Sequence, residues 1–105
     1  MKASIWKDTA SRAVGNIYGL RVGIPNRRQH FSDETWEWVE VEIDGVVRRY
    51  RLLGGFWRKC PEIRDDADRT IRGWVMRHHS LTWTPRNPPH VKLTPLGGRR
   101  FRLVL

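Results

Sequence analysis

Apolar residues recur at every second position through "WEWVEVEIDGVVRRYRLL", and Asp44-Gly45 sits in the middle. A period of two marks a strand with one buried face. Asp-Gly between two such runs predicts a hairpin closed by a two-residue type I′ turn. That turn sets a register in which Ile43 faces Val46, Val41 faces Arg48, Val39 faces Tyr50 and Glu37 faces Leu52 on one mostly apolar face. On the other face Glu42 meets Val47, Glu40 meets Arg49, Trp38 meets Arg51 and Trp36 meets Leu53. Opposite charges and a cation–π pair then meet across the ladder, each worth about 0.2–1 kcal/mol. The acids are expected to specify register and neutralise Arg49, not to form a catalytic pair.

The rest of the chain changes period more than once. In "GNIYGLRVGI", residues 15–24, Tyr18, Leu20, Val22 and Ile24 share one face of a predicted strand. Gly19 and Gly23 lie on its other face, where something is expected to approach the backbone closely. "PNRRQHFSDET" reads as a loop. Gly54-Gly55 breaks the hairpin's second strand or forms a bulge, re-aiming Phe56, Trp57, Arg58 and Lys59 into an edge or loop segment. From 62 to 79 the spacing of Ile63, Ala67, Ile71, Trp74, Val75 and His78 predicts an amphipathic helix. Asp65–Arg69 and Asp68–Arg72 fall at i,i+4 along it. "TWTPRNPPH" is an extended, proline-rich connection. "HVKLTPLGGRRFRLVL" reads as a second hairpin turning at Gly97-Gly98, with Pro95 placing one of its strands at a sheet edge. Residues 1–13 read as a loose arm or a short helix. The expectation is one α+β domain over 1–105. In it an antiparallel sheet of about five strands, two hairpins plus an N-terminal strand, packs on one helix in the order β-β-β-α-β-β.

Composition narrows the setting. A chain of 105 residues suits a single modest core. No run approaches the roughly 18 apolar residues of a membrane span, and the opening "MKASIWKDTASRAVG" lacks a signal peptide's apolar run. Cys60, the lone cysteine, suits a reducing compartment. A cytoplasmic protein with no membrane role is expected.

Charge changes the picture most. Lys and Arg number 20 against 11 Asp and Glu, and 16 of the 20 are arginine. The excess is confined to the second half: residues 1–47 are net −1, residues 48–105 net +10. A concentrated basic region attracts polyanions, and arginine favours bidentate phosphate contacts and stacking.

Other chemistry finds less support. The four histidines form no metal-binding spacing, and His78-His79 diverge by about 100° on a helix. No metal or other cofactor is expected. Cys60 has Arg58, Lys59 and a predicted helix start beside it, conditions that lower a thiol pKa, but no base or oxyanion partner is readable. No catalytic residues are assigned. What remains is a cationic and aromatic set: Arg49, Arg51, Trp57, Arg58 and Lys59 at the sheet's end; Arg69, Arg72 and Arg77 on the helix; Arg99, Arg100 and Arg102 on the last hairpin. Cations neutralise phosphates while exposed aromatics stack on bases. Trp57 is expected to be exposed, Trp74 buried, and Trp36 and Trp38 to cover the sheet's second face. The function expected is a small, non-enzymatic DNA- or RNA-binding domain. The alternative is a protein-interaction or assembly module, homo-oligomeric or with another partner, because strand edges, Trp and Arg also build protein interfaces.

Overall fold

The computed structural model describes residues 1–8, 17–31, 34–79, 83–84 and 86–105. Among these, seven strands form one mixed sheet: β1 (Lys2–Asp8), β2 (Ile17–Arg21), β3 (Trp38–Ile43), β4 (Val46–Arg51), β5 (Glu62–Arg64), β6 (His90–Gly97) and β7 (Arg100–Val104). Their order is β4-β3-β7-β6-β1-β2-β5. All neighbours are antiparallel except β3 and β7, which run parallel. The helices are α1 (Ile24–His30) and α2 (Thr70–His78), with a 3₁₀ turn at Gly54–Trp57. No helix among the described residues is long and apolar enough to cross a membrane.

The first hairpin forms in the register the alternation predicts, from Ile43 opposite Val46 to Trp38 opposite Arg51. Asp44 and Gly45 both take positive φ, 51° and 81°, the backbone a type I′ turn demands. Val39, Val41, Ile43 and Tyr50 are buried. Further along the chain, β4 ends at Arg51, short of the expected pairing at Leu52 and Leu53, and the double glycine opens a 3₁₀ turn, Gly54–Trp57.

The sheet curls until its edge strands, β4 and β5, almost meet. Polar side chains bridge the remaining gap: Tyr50 Oη donates to Asp66 Oδ2 at 2.7 Å, and Arg48 pairs with Asp68 at 2.9 Å. Ile5, Leu20, Ile63, Leu93 and Phe101 fill the interior together with Ile71, Trp74 and Val75 of α2. An aromatic cluster adds to the core, with Phe31 stacked on Phe101 at 4.7 Å and edge-on to Phe56 at 5.1 Å. The buried Arg27 of α1 donates to the carbonyls of Phe56 and Arg58, tying that helix to the 3₁₀ turn.

A five-stranded antiparallel sheet on a single helix is therefore not what forms, and each departure has a local cause. Residues 2–8 are an internal strand, not an arm or a helix; Ala3 and Ile5 are the buried alternating positions, and an alanine gives little apolar signal. Residues 9–13 of that expectation lie outside the described residues. The expected strand ends at Arg21, and α1 takes Ile24 from its predicted end together with the first part of the expected loop; Pro25 sits in its first turn, a position where a missing N–H costs nothing. The expected helix over 62–79 is cut short. Ile63 belongs to β5, and α2 begins only at Thr70 because the Asp65 and Asp66 carboxylates accept its first N–H bonds from outside the helix. Asp68 consequently pairs with Arg48, not with Arg72.

The second hairpin does form, but its turn is Gly98-Arg99, one residue later than expected. Neither of its strands is an edge: β7 lies between β3 and β6, and β6 between β7 and β1. Pro95 is tolerated because the register slips between Pro95 and Gly97, the kind of irregularity that absorbs a missing donor. One close approach is met at Gly19, which sits between Trp6 and Arg64. A Cβ there would run into the Ile63 carbonyl oxygen and press on Trp6 Cε3 at 3.0 Å.

Candidate nucleic-acid interface

Strand alternation divides every strand's residues between the core and the outer surface of the curled sheet. The outer positions are markedly cationic. Arg49 and Arg51 project from β4, Arg100 and Arg102 from β7, Lys92 from β6, Lys2 from β1, Arg21 from β2 and Arg64 from β5, with Arg99 at the β6–β7 turn. Among the described side chains only three carboxylates, Glu40, Glu42 and Glu62, share that face with these nine cations.

Pairing on this face differs from what the hairpin alone implies. Glu40 turns away from Arg49 to pair with Arg100 at 3.5 Å, and Glu42 pairs with Arg102. The parallel partner β7 supplies both arginines. Arg49, released from its acid, lies over the Trp38 indole, 3.8 Å from the ring centroid. Arg99 lies over the same indole at 4.5 Å and 5.6 Å from Trp36. Arg51, opposite Trp38 in register, is exposed. Elsewhere on the face Arg21 pairs with Glu62 at 3.0 Å, and Arg64 lies over Trp6 at 5.7 Å.

The expected site residues thus separate into groups. Arg49, Arg51, Arg99, Arg100 and Arg102 come together on one continuous surface. Arg69 and Arg72 instead line a cleft of about 320 Å³ at the start of α2, with Arg64, Asp65 and Asp66. Arg77 joins α2 to the first hairpin through Asp44 at 2.5 Å. Arg58 and Lys59 are exposed beyond the 3₁₀ turn. Trp57 is not an open platform: its ring is half-buried, edge-on to Phe56 at 5.0 Å, and its Nε1 donates to the Trp36 carbonyl at 3.1 Å. Trp74 is buried as expected. Trp38 does cover the sheet's outer face, while Trp36 meets Phe31 edge-on at 6.4 Å.

The cleft has a different electrostatic character. Asp65 Oδ1 accepts from the N–H groups of Asp66 and Ile71, and its Oδ2 from Arg72 N–H, at 2.8–2.9 Å. Asp66 Oδ1 accepts from Thr70 N–H at 3.0 Å. Burial lifts the Asp65 carboxyl above the ordinary range, against the pull of the Arg72 and Ile71 N–H groups. Burial acts the same way on Asp66, but hydrogen bonds from Thr70 and Tyr50 and the charge of Arg48 outweigh it, holding that carboxyl below the ordinary range. Burial, then the bond to Asp66, pushes the Tyr50 phenol far up. The positive end of α2 is thus occupied by the protein's own acids. Cys60 is exposed and precedes β5, so the helix start expected beside it is absent. Among the described residues no group of three His, Cys, Asp or Glu side chains is placed to hold a metal ion.

Lys2, Lys92, Arg21 and Arg64 were missing from the expected set. An alternation signal for Lys2 was present in "KASIW", but sequence carries no sign that β1 and β6 are neighbours. Comparison with protein-family models, curated proteins and solved structures returns no match to this chain.

Proposed function

We propose that this protein binds nucleic acid, without catalysis, through the outer face of its sheet. The observation carrying this reading is the excess of nine cations over three carboxylates among the described side chains of that face. Such an excess attracts the phosphate backbone and gains free energy by releasing its counterions. The exposed, lone Cys60 fits a reducing, cytoplasmic setting for that role. The test is titration with labelled single- and double-stranded oligonucleotides at two salt concentrations. Affinity should fall by orders of magnitude between about 50 and 200 mM salt when several phosphates are contacted. No binding at the lower salt overturns the proposal.

A second reading, an assembly module, is favoured by exposed apolar side chains at Val46, Val47 and Met76. Sedimentation equilibrium separates it from the first: this reading requires a concentration-dependent oligomer.

A further inference from the structure

We propose that Trp38 serves as a shelf that holds Arg49 and Arg99 as a two-armed clamp for a backbone phosphate, the primary anchor of the face. This rests on the nucleic-acid reading above and deepens it. A guanidinium lying over an indole uses its π-face and leaves its N–H donors, which lie in its own plane, open at the edges. Those edges match a phosphate's oxygens in a bidentate fork.

Three observations set this pair apart from the other arginines of the face. Arg100 and Arg102 are already engaged by Glu40 and Glu42, and Arg21 by Glu62. Neither Arg49 nor Arg99 has a carboxylate partner among the described residues. Both approach one ring, at 3.8 and 4.5 Å from its centroid, so their guanidinium carbons are no farther apart than those two lengths added together. In this clamp both guanidinium groups turn their free edges toward one phosphate.

The arms come from two strand systems. Arg49 is on β4, and Arg99 sits in the β6–β7 turn, whose carbonyl accepts from Glu40 N–H of β3 at 2.8 Å. Arg51 stands beside the shelf as a further cation. Trp38 therefore acts as a positioning residue and not as a base-stacking platform, because cations already cover it. Held arms lose less side-chain freedom on binding, which is where preorganisation gains affinity.

The experiment compares oligonucleotide binding by the wild type and four variants, each first checked by thermal melt. Arg49→Gln/Arg99→Gln and Lys2→Gln/Lys92→Gln remove the same charge from one face, at the shelf and away from it. The shelf pair should weaken binding about tenfold more than the lysine pair, since a guanidinium grips phosphate through a bidentate fork where an ammonium offers only a point charge. Trp38→Leu keeps every cation, so it should weaken binding about threefold to tenfold while leaving the salt slope unchanged. Trp38→Phe should restore most of that loss.

Equal losses from the two double variants, or a neutral Trp38→Leu, overturn the clamp and leave the cationic face standing as a diffuse attractor. A wild type that binds nothing at low salt overturns the face reading and the clamp with it. If the arginine pair fails to fold, the Trp38 variants still decide, because they change no charge.

Discussion

The outer face around Trp38 and the cleft at the start of α2 are both arginine-rich, and they use their carboxylates in opposite ways. In the cleft Arg69 and Arg72 surround two aspartates whose carboxylates accept backbone N–H groups of the helix start. There the two carboxylates offset the helix's own positive end, and Arg72 turns its guanidinium to Met76 Sδ. On the outer face the β3 carboxylates are taken by Arg100 and Arg102, and Arg49 and Arg99 rest on an indole. A cation on an aromatic ring stays attractive to a second, anionic partner; one beside a carboxylate is largely neutralised.

That contrast can be broken most severely at Asp65. Asp65→Ala strands three N–H groups around the start of α2, and should cost about 2–3 kcal/mol, since lost caps and unsatisfied buried donors each cost about 1–2. Chemical denaturation measures it. Oligonucleotide affinity of the variant, measured while it is folded, should stay within about twofold of wild type, because no phosphate-facing cation is touched. A stable variant with lost binding would reverse the roles of the two regions.

A smaller effect is expected with acid. The stability that Asp66 contributes is complete above the ordinary aspartate pKa of about 3.9 and is lost as pH falls through its lower folded value. Asp65, lifted by burial, has the opposite sign: its contribution is present below the ordinary value and lost as pH rises through the raised one. Melting temperatures of the wild type and Asp66→Asn, taken from about pH 6 to about pH 3, separate the two. The variant should be less stable at pH 6 and should lose less on acidification. An unchanged acid slope would remove Asp66 from the bridge between the sheet's edges.

The smallest effect sharpens the contrast from the cleft side. Arg72→Gln should weaken oligonucleotide binding by no more than about twofold and reduce the salt slope by less than one phosphate contact. A loss equal to that of a shelf arginine would extend the binding surface into the cleft.

Much of the first hairpin was legible in sequence because its information is local. Alternation chooses the buried face, Asp44-Gly45 fixes the turn, and together they set the register down to Trp38 opposite Arg51. The cationic surplus of the second half was legible as well, since charge is a count. What Glu40 would do was not. The hairpin offers it Arg49, and only the parallel neighbour β7 draws it to Arg100. The shelf follows from that exchange and was invisible for the same reason. Helix α2 was overextended because Ile63 and Ala67 continue its spacing, whereas the Asp65 and Asp66 carboxylates cap it from loop positions that periodicity does not register.

Sequence by itself determined the local period of most elements, one hairpin's register, the burial of Trp74 and the sign of the chain's charge. These follow from propensity, turn chemistry and composition, which act between residues close along the chain. The tertiary structure decided that β1 is internal, that β3 pairs in parallel with β7, and which arginines meet an acid. Those outcomes depend on contacts between residues distant in sequence, such as Glu40 with Arg100 and Trp38 with Arg99. A pairing energy of this kind exists only once the whole sheet has curled around its core.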